Sequence, residues 1–125
     1  MEPFSLSIEQ RPGLAVATAA GYYDKEAGRK VNEAVSAVLM ANRIYVVLDL
    51  SRCKVINSPG VASLVSLAIK VNDDFRGRLF LVGVDELKAK VFKVVGLTPL
   101  ATAVPTIEAG VAEAAALLAR AHPAR

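Results

Sequence analysis

The run Phe4-Ser5-Leu6-Ser7-Ile8-Glu9 alternates apolar and polar side chains, the period of two expected of a strand with one wet face. Arg11-Pro12-Gly13 supplies turn chemistry directly after it, and Leu14 to Ala20 is almost wholly apolar. The two runs predict a hairpin whose first strand lies outermost, with a bend or bulge at Gly21. From Asp24 the period lengthens. Ala27, Val31, Ala34, Val35, Val38 and Leu39 recur at steps of three and four, while Lys25, Arg29, Lys30 and Glu33 take the opposite side of the same helix. Asn42 predicts its end.

Ile44-Tyr45-Val46-Val47-Leu48 is short, continuous and rich in β-branched residues, the pattern of a strand buried on both faces. A connector from Asp49 to Ile56 leads to Asn57-Ser58-Pro59-Gly60, which opens a second helix with apolar positions at Val61, Leu64, Val65, Ala68, Ile69 and Val71. Asp73-Asp74 before Phe75-Arg76-Gly77 reads as a helix end and turn. Leu79 to Val84 repeats the buried-strand pattern. Asp85-Glu86 then starts a third helix with acids first and Lys88, Lys90 and Lys93 after them, the order that complements the helix dipole. Gly96 and Pro99 end it. Leu100 to Val104 predicts a last strand, and Thr106-Ile107-Glu108-Ala109 begins a final helix through Val111, Ala114, Ala115, Leu117, Leu118 and Ala121, with a frayed tail after His122.

A hairpin followed by alternating helix and strand predicts an α/β fold: a mixed sheet of four or five strands covered by about four helices. The 125 residues, 54% hydrophobic and 22% charged, suit one domain over residues 1–125 that holds a core without staples. Composition then narrows the function. One cysteine, Cys53, excludes an internal disulfide framework, and one histidine, His122, in the tail leaves no partner for Cys–His or Ser–His–acid catalysis or for a metal cluster. With no signal-like start, the chain is expected in the reducing cytoplasm. Charges interrupt every apolar run well short of the roughly 18 residues a span needs. The net charge of +3 is modest and its basic residues are scattered, which argues against nucleic acid. Neither nucleotide-binding glycine motif occurs, so no cofactor, no metal and no enzymatic activity are expected.

Attention therefore falls on the connector, because open α/β sheets carry their functional surfaces at the carboxyl ends of central strands. Asn57 or Ser58 as N-cap accepts an orphaned backbone N–H, and proline suits the first helical positions. Capping chemistry alone would select these residues. A helix start also carries partial positive charge, so a phosphate on Ser58 or an incoming anion would be stabilised there. Cys53 lies between Arg52 and Lys54, cations that lower a thiol pKa, although an inert cysteine is the simpler reading. Asp49 has no second ligand at metal spacing and reads as a loop hydrogen-bonding residue. Ser63 and Ser66 read as a partly solvated helix face, and Tyr22-Tyr23 as cover for a sheet edge or a partner surface.

The runs Val47-Leu48-Asp49-Leu50-Ser51 and Val55-Ile56-Asn57-Ser58-Pro59-Gly60-Val61, then Leu64-Val65, resemble the central signature of STAS domains, the sulfate transporter and anti-sigma factor antagonist family. Lys93-Val94-Val95-Gly96-Leu97 and the late helix from Thr106 are similar to the family's closing segment. The resemblance implies a STAS-like fold and a non-catalytic module that binds a kinase-type anti-sigma factor, a serine kinase protein, in partner-switching control of transcription; a homodimer is compatible with it. The implied partner-binding loop and helix start comprise Asn57, Ser58, Pro59, Gly60, Val61 and Ser63. One departure matters. The family places its phosphoacceptor hydroxyl directly before the glycine, where this chain has Pro59, which takes no phosphate; its usual acidic residue is replaced by Asn57. Ser58, one place earlier, is the substitute candidate phosphoacceptor. The loss of the usual acceptor also fits the alternative that the resemblance implies, an accessory subunit bound to the ATPase of an ABC-type lipid transporter.

Overall fold

The computed structural model describes residues 3–121; the tail after His122 lies outside them. Five strands form one sheet in the order β1 (Ser5–Arg11), β2 (Leu14–Ala20), β3 (Tyr45–Arg52), β4 (Arg78–Val82) and β5 (Ala101–Val104). β1 and β2 pair antiparallel from Ser5↔Ala20 to Arg11↔Leu14, leaving Pro12-Gly13 as a two-residue turn. The remaining neighbours pair parallel. The sheet is therefore mixed, with five strands, and β3 lies at its centre.

Helices α1 (Lys25–Met40), α2 (Ser58–Ile69) and α3 (Glu86–Val94) each carry the chain from one strand to the next neighbour in the same direction. Right-handed crossovers then place all three on one face. There Val31, Val35, Leu64, Leu67 and Phe92 pack on Ala15, Ala17, Val46, Leu48 and Leu81. The last helix, α4 (Ile107–Ala121), covers the other face, where Ala114 packs among Leu14, Val16, Val47, Phe80 and Val104. Tyr45 to Leu50 is buried throughout, as a strand sandwiched between helix layers must be.

Local chemistry sets the helix ends. Asp24, Asn57 and Asp85 each accept a backbone N–H three residues on, at 2.9, 2.9 and 2.8 Å. Asn42, at φ 66°, closes α1: its N–H bonds to the Leu39 carbonyl and that of Arg43 to Val38, the reciprocal pair of a Schellman end. Leu97 and Gly96 close α3 in the same way on Phe92 and Lys93.

Three expectations are revised. The central strand does not stop at Leu48 but runs to Arg52, because pairing with β2 and the bond from Gly21 N–H to the Arg52 carbonyl extend the ladder. α2 ends at Ile69 and passes into a five-residue π-helical segment, Lys70–Asp74, before the turn at Phe75 and Arg76. Tyr23 covers no edge: it is fully buried, its ring edge-on to Phe4 with centroids 5.7 Å apart.

Candidate partner-binding site

β3 delivers the chain to the start of α2 through Cys53 to Asn57, and the segment after β2 fastens that start. Tyr23 N–H donates to the Val55 carbonyl at 3.0 Å and Asn57 N–H to the Tyr23 carbonyl at 3.1 Å, forming a bridge between Tyr23 and Ile56 beyond the regular ladder. Asn57 then works in two directions. Its Oδ1 accepts from Gly60 N–H, and its Nδ2 donates to the Tyr22 hydroxyl at 2.9 Å. The Asn57 side chain thus ties α2 both to itself and to the segment before α1.

With Asn57 as the cap, Ser58 is the first helical residue and Pro59 the second, one place later than capping by Ser58 would give. Proline at that position has no N–H to leave unpaired. Gly60 N–H is held by the cap and Val61 N–H by the Asn57 carbonyl at 2.9 Å. Of the first three helical residues only Ser58 keeps a free N–H, which makes a poor cradle for an anion. Ser58 and Pro59 are exposed, Asn57 is half-buried, and Gly60 and Val61 are buried. Gly60 is required by closeness: a Cβ there would collide with the Tyr23 carbonyl oxygen.

Ser63 stands apart from the exposed pair. It is half-buried and turned toward α1, where a Cβ on Gly28 would meet its hydroxyl, so it belongs to the α1–α2 contact. Ser66 is exposed. Asp49 makes the hydrogen bond read for it, its Oδ1 accepting from Ser51 N–H at 2.9 Å, but it does so buried within β3 and not in a loop. Among the described residues no group of three His, Cys, Asp or Glu could hold a metal ion, and no helix is long and apolar enough to cross a membrane.

Cys53 lies under the connector, fully buried, its N–H on the Leu50 carbonyl. Burial pushes the thiol up to about 11; the Lys88 ammonium pulls the other way and Asp49 adds to the rise. The flanking cations of the sequence therefore do not activate it. Burial also raises the hydroxyl of Tyr23, which has no hydrogen-bond partner among the described residues. Both groups are neutral when protonated, and the fold holds their protons more tightly than the unfolded chain does. The thiol's contribution is complete below its unfolded pKa of about 8.5 and is lost as pH rises from there toward 11, while that of Tyr23 begins to fall only above about 10. The urea midpoint is expected to fall between pH 8.5 and 10.5, and by less in Cys53→Ala; equal falls in the two proteins would contradict this.

Sequence reasoning missed one feature beside this site. α3 carries Leu87, Val91 and Val94 at exposed positions, with Val95 exposed as its cap, and only Phe92 of that helix is buried. The steps of four, three and one were legible as a helical stripe, but the acid-to-base order of the same segment drew attention to its charges.

A mixed five-stranded sheet with three crossover helices on one face, one on the other and a capped, exposed helix start at the end of the central strand defines the class. The chain belongs to the STAS domain family, whose model matches residues 5–114. Among solved structures it is similar to an anti-sigma factor antagonist from Mycobacterium paratuberculosis, at 19% identity and TM-score 0.75 over 90% of this chain and 95% of that one. It is also similar to a variant of RsbS from Moorella thermoacetica, at 14% identity and TM-score 0.77 over 90% and 97%. A third is the cell fate determinant SpoIIAA from Bacillus in its phosphorylated form, at 19% identity and TM-score 0.68 over 87% and 98%. At these identities the likeness is one of fold. Comparison with curated protein sequences gives no match.

Proposed function

We propose that this STAS domain is a non-catalytic regulatory module of the bacterial cytoplasm that binds a kinase-type anti-sigma factor in partner-switching control of transcription. The start of α2 is the docking surface: Ser58 and Pro59 make the contact, Asn57, Gly60 and Val61 hold them in place, the outer side of α2 extends the surface, and Ser63 serves the α1–α2 contact behind it. The observation that carries this reading is the exposed Ser58-Pro59 step at a helix start fixed by the Asn57 cap and the Tyr23 bridge. A surface so held loses little conformational freedom on binding. The similar folds add support, since anti-sigma factor antagonists recur among them.

Pro59 gives the module its particular character. A phosphate at the family's usual position would add between one and two negative charges at the docking surface and control release. Proline removes that control, and its fixed φ strengthens the helix start. The domain then acts as a constitutive antagonist, with Ser58 left as the substitute hydroxyl. The same observation favours one second reading, an accessory subunit on the ATPase of an ABC-type lipid transporter, which needs a stable contact and no phosphorylation.

The test is phosphoryl transfer from the kinase-type anti-sigma factor of the same organism with ATP, read by intact-mass and peptide mass spectrometry. Wild type is expected to bind the kinase and remain unmodified at residues 57–61, and Pro59→Ser to gain one phosphate. Phosphorylation of wild type on Ser58, abolished by Ser58→Ala, with none gained by Pro59→Ser, would contradict the assignment.

A further inference from the structure

The pair Tyr22-Tyr23 divides in the fold. Tyr23 is buried in the core, whereas Tyr22 is half-exposed beside the start of α2. Its position is fixed on three sides. Gly21 N–H donates to the Arg52 carbonyl at 3.1 Å and Tyr23 N–H to that of Val55 at 3.0 Å, which pins the backbone before and after it. The Tyr22 hydroxyl itself lies 2.9 Å from Nδ2 of Asn57, the residue that caps α2 directly before Ser58.

The cap decides which way that hydrogen bond runs. A side-chain amide offers one oxygen that accepts and one nitrogen that donates. Gly60 N–H is a donor only, so the atom it meets at 2.9 Å is Oδ1, and the atom left to face Tyr22 is the donor Nδ2. The Tyr22 oxygen therefore accepts. A phenol carries a single proton beside its lone pairs, and with Nδ2 as neighbour that proton points away from Asn57. Among the described residues none receives it. An aspartate at position 57 would cap α2 as well and would draw the proton inward; asparagine leaves it facing outward.

In the free domain water receives this proton. Docking on Ser58 and Pro59 covers the hydroxyl beside them and removes that water, and a donor covered without an acceptor costs affinity. The partner must then supply an oxygen. We propose that Tyr22 is a specificity-determining residue of the docking surface: its hydroxyl donates to an acceptor oxygen of the partner, a carboxylate or a backbone carbonyl, with Asn57 setting the polarity. This rests on the reading of the α2 start as the docking surface and specifies the group that meets it.

The test is isothermal titration calorimetry of the full chain with the kinase-type anti-sigma factor of the same organism, in wild type, Tyr22→Phe, Asn57→Asp and the double variant. Tyr22→Phe is expected to bind about tenfold more weakly, with its melting temperature within about 4 °C of wild type and the Gly60 amide protected from hydrogen exchange as in wild type. Asn57→Asp, which turns the hydroxyl inward, is expected to weaken binding by at least as much, and in that background Tyr22→Phe is expected to cost less than about twofold. A Tyr22→Phe loss that shrinks between about 0.05 and 0.5 M salt identifies the acceptor as a carboxylate, and a constant loss identifies it as a carbonyl. Tyr22→Phe that binds as wild type, an equal cost in both backgrounds, or loss of Gly60 protection alongside the affinity would overturn the proposal. Those outcomes leave the proposed function standing, because the wild-type complex still forms. A wild type that forms no complex overturns that function, and the donor with it.

Discussion

Gly60→Val is expected to cost about 3 kcal/mol of stability, to lower the melting temperature by about 10 °C and to remove partner binding even where the protein remains folded. The cause is local and hard. A Cβ at residue 60 would occupy the space of the Tyr23 carbonyl oxygen, which is itself bonded to Asn57 N–H. Neither partner can yield by rotating a side chain, because both are backbone. α2 must instead move away from the Tyr23–Ile56 bridge, which pulls Asn57 off the Tyr22 hydroxyl and loosens a cap worth about 1 kcal/mol. Ser58 and Pro59 move with it. Thermal unfolding by circular dichroism and calorimetry with the partner check both halves of this; an unchanged melting temperature would show that the close approach does not exist.

Leu64→Ala is expected to destabilise the domain by a comparable amount, about 2–5 kcal/mol, with a different functional signature. Leu64 is fully buried one turn beyond Gly60, in the layer between α2 and the sheet. Truncation removes its transfer free energy and leaves a cavity that the rigid strand behind it cannot close. The cap, the Tyr23 bridge and the exposed pair are untouched. Partner affinity measured well below the melting temperature is therefore expected to stay within about twofold of wild type, since additivity holds for features without shared contacts. Denaturant unfolding gives the stability loss, and calorimetry at 10 °C gives the affinity. If Leu64→Ala loses affinity in step with Gly60→Val, the binding surface is the packing of α2 as a whole and not its start.

The pair also separates what was readable in the chain from what was not. Helix starts at Asp24, Asn57 and Asp85 and the end at Asn42 were legible because caps are local, each fixed by one side chain and a backbone group three residues away. The buried strands were legible from their continuous apolar runs. The extension of β3 through Asp49, Ser51 and Arg52 was not, because polar residues there enter the sheet only through long-range pairing, Asp49 with Thr18 and Val82 and Arg52 with Ala20 and Gly21. The same holds for Tyr23, whose burial depends on Phe4 and on a connector more than thirty residues away. The π-helical segment at Lys70 has no residue signature, although Lys70 Nζ reaches Asn32 and Ser36 of α1 at 3.0 and 2.9 Å and so holds that segment to its neighbour. Gly60 was read as part of a motif; its physical reason, the Tyr23 carbonyl, needed the fold.

The fixed start of α2 is proposed as a docking surface for a kinase-type anti-sigma factor, and co-purification from the native host with crosslinking mass spectrometry tests this. A stable complex with a GHKL-type kinase is expected, with crosslinks from the exposed Lys54 beside that helix start and no phosphate on residues 57–61 of this chain. Recovery of a transporter ATPase in its place, crosslinked at the same position, would contradict the sigma-factor reading and make Pro59 the mark of a permanent subunit contact.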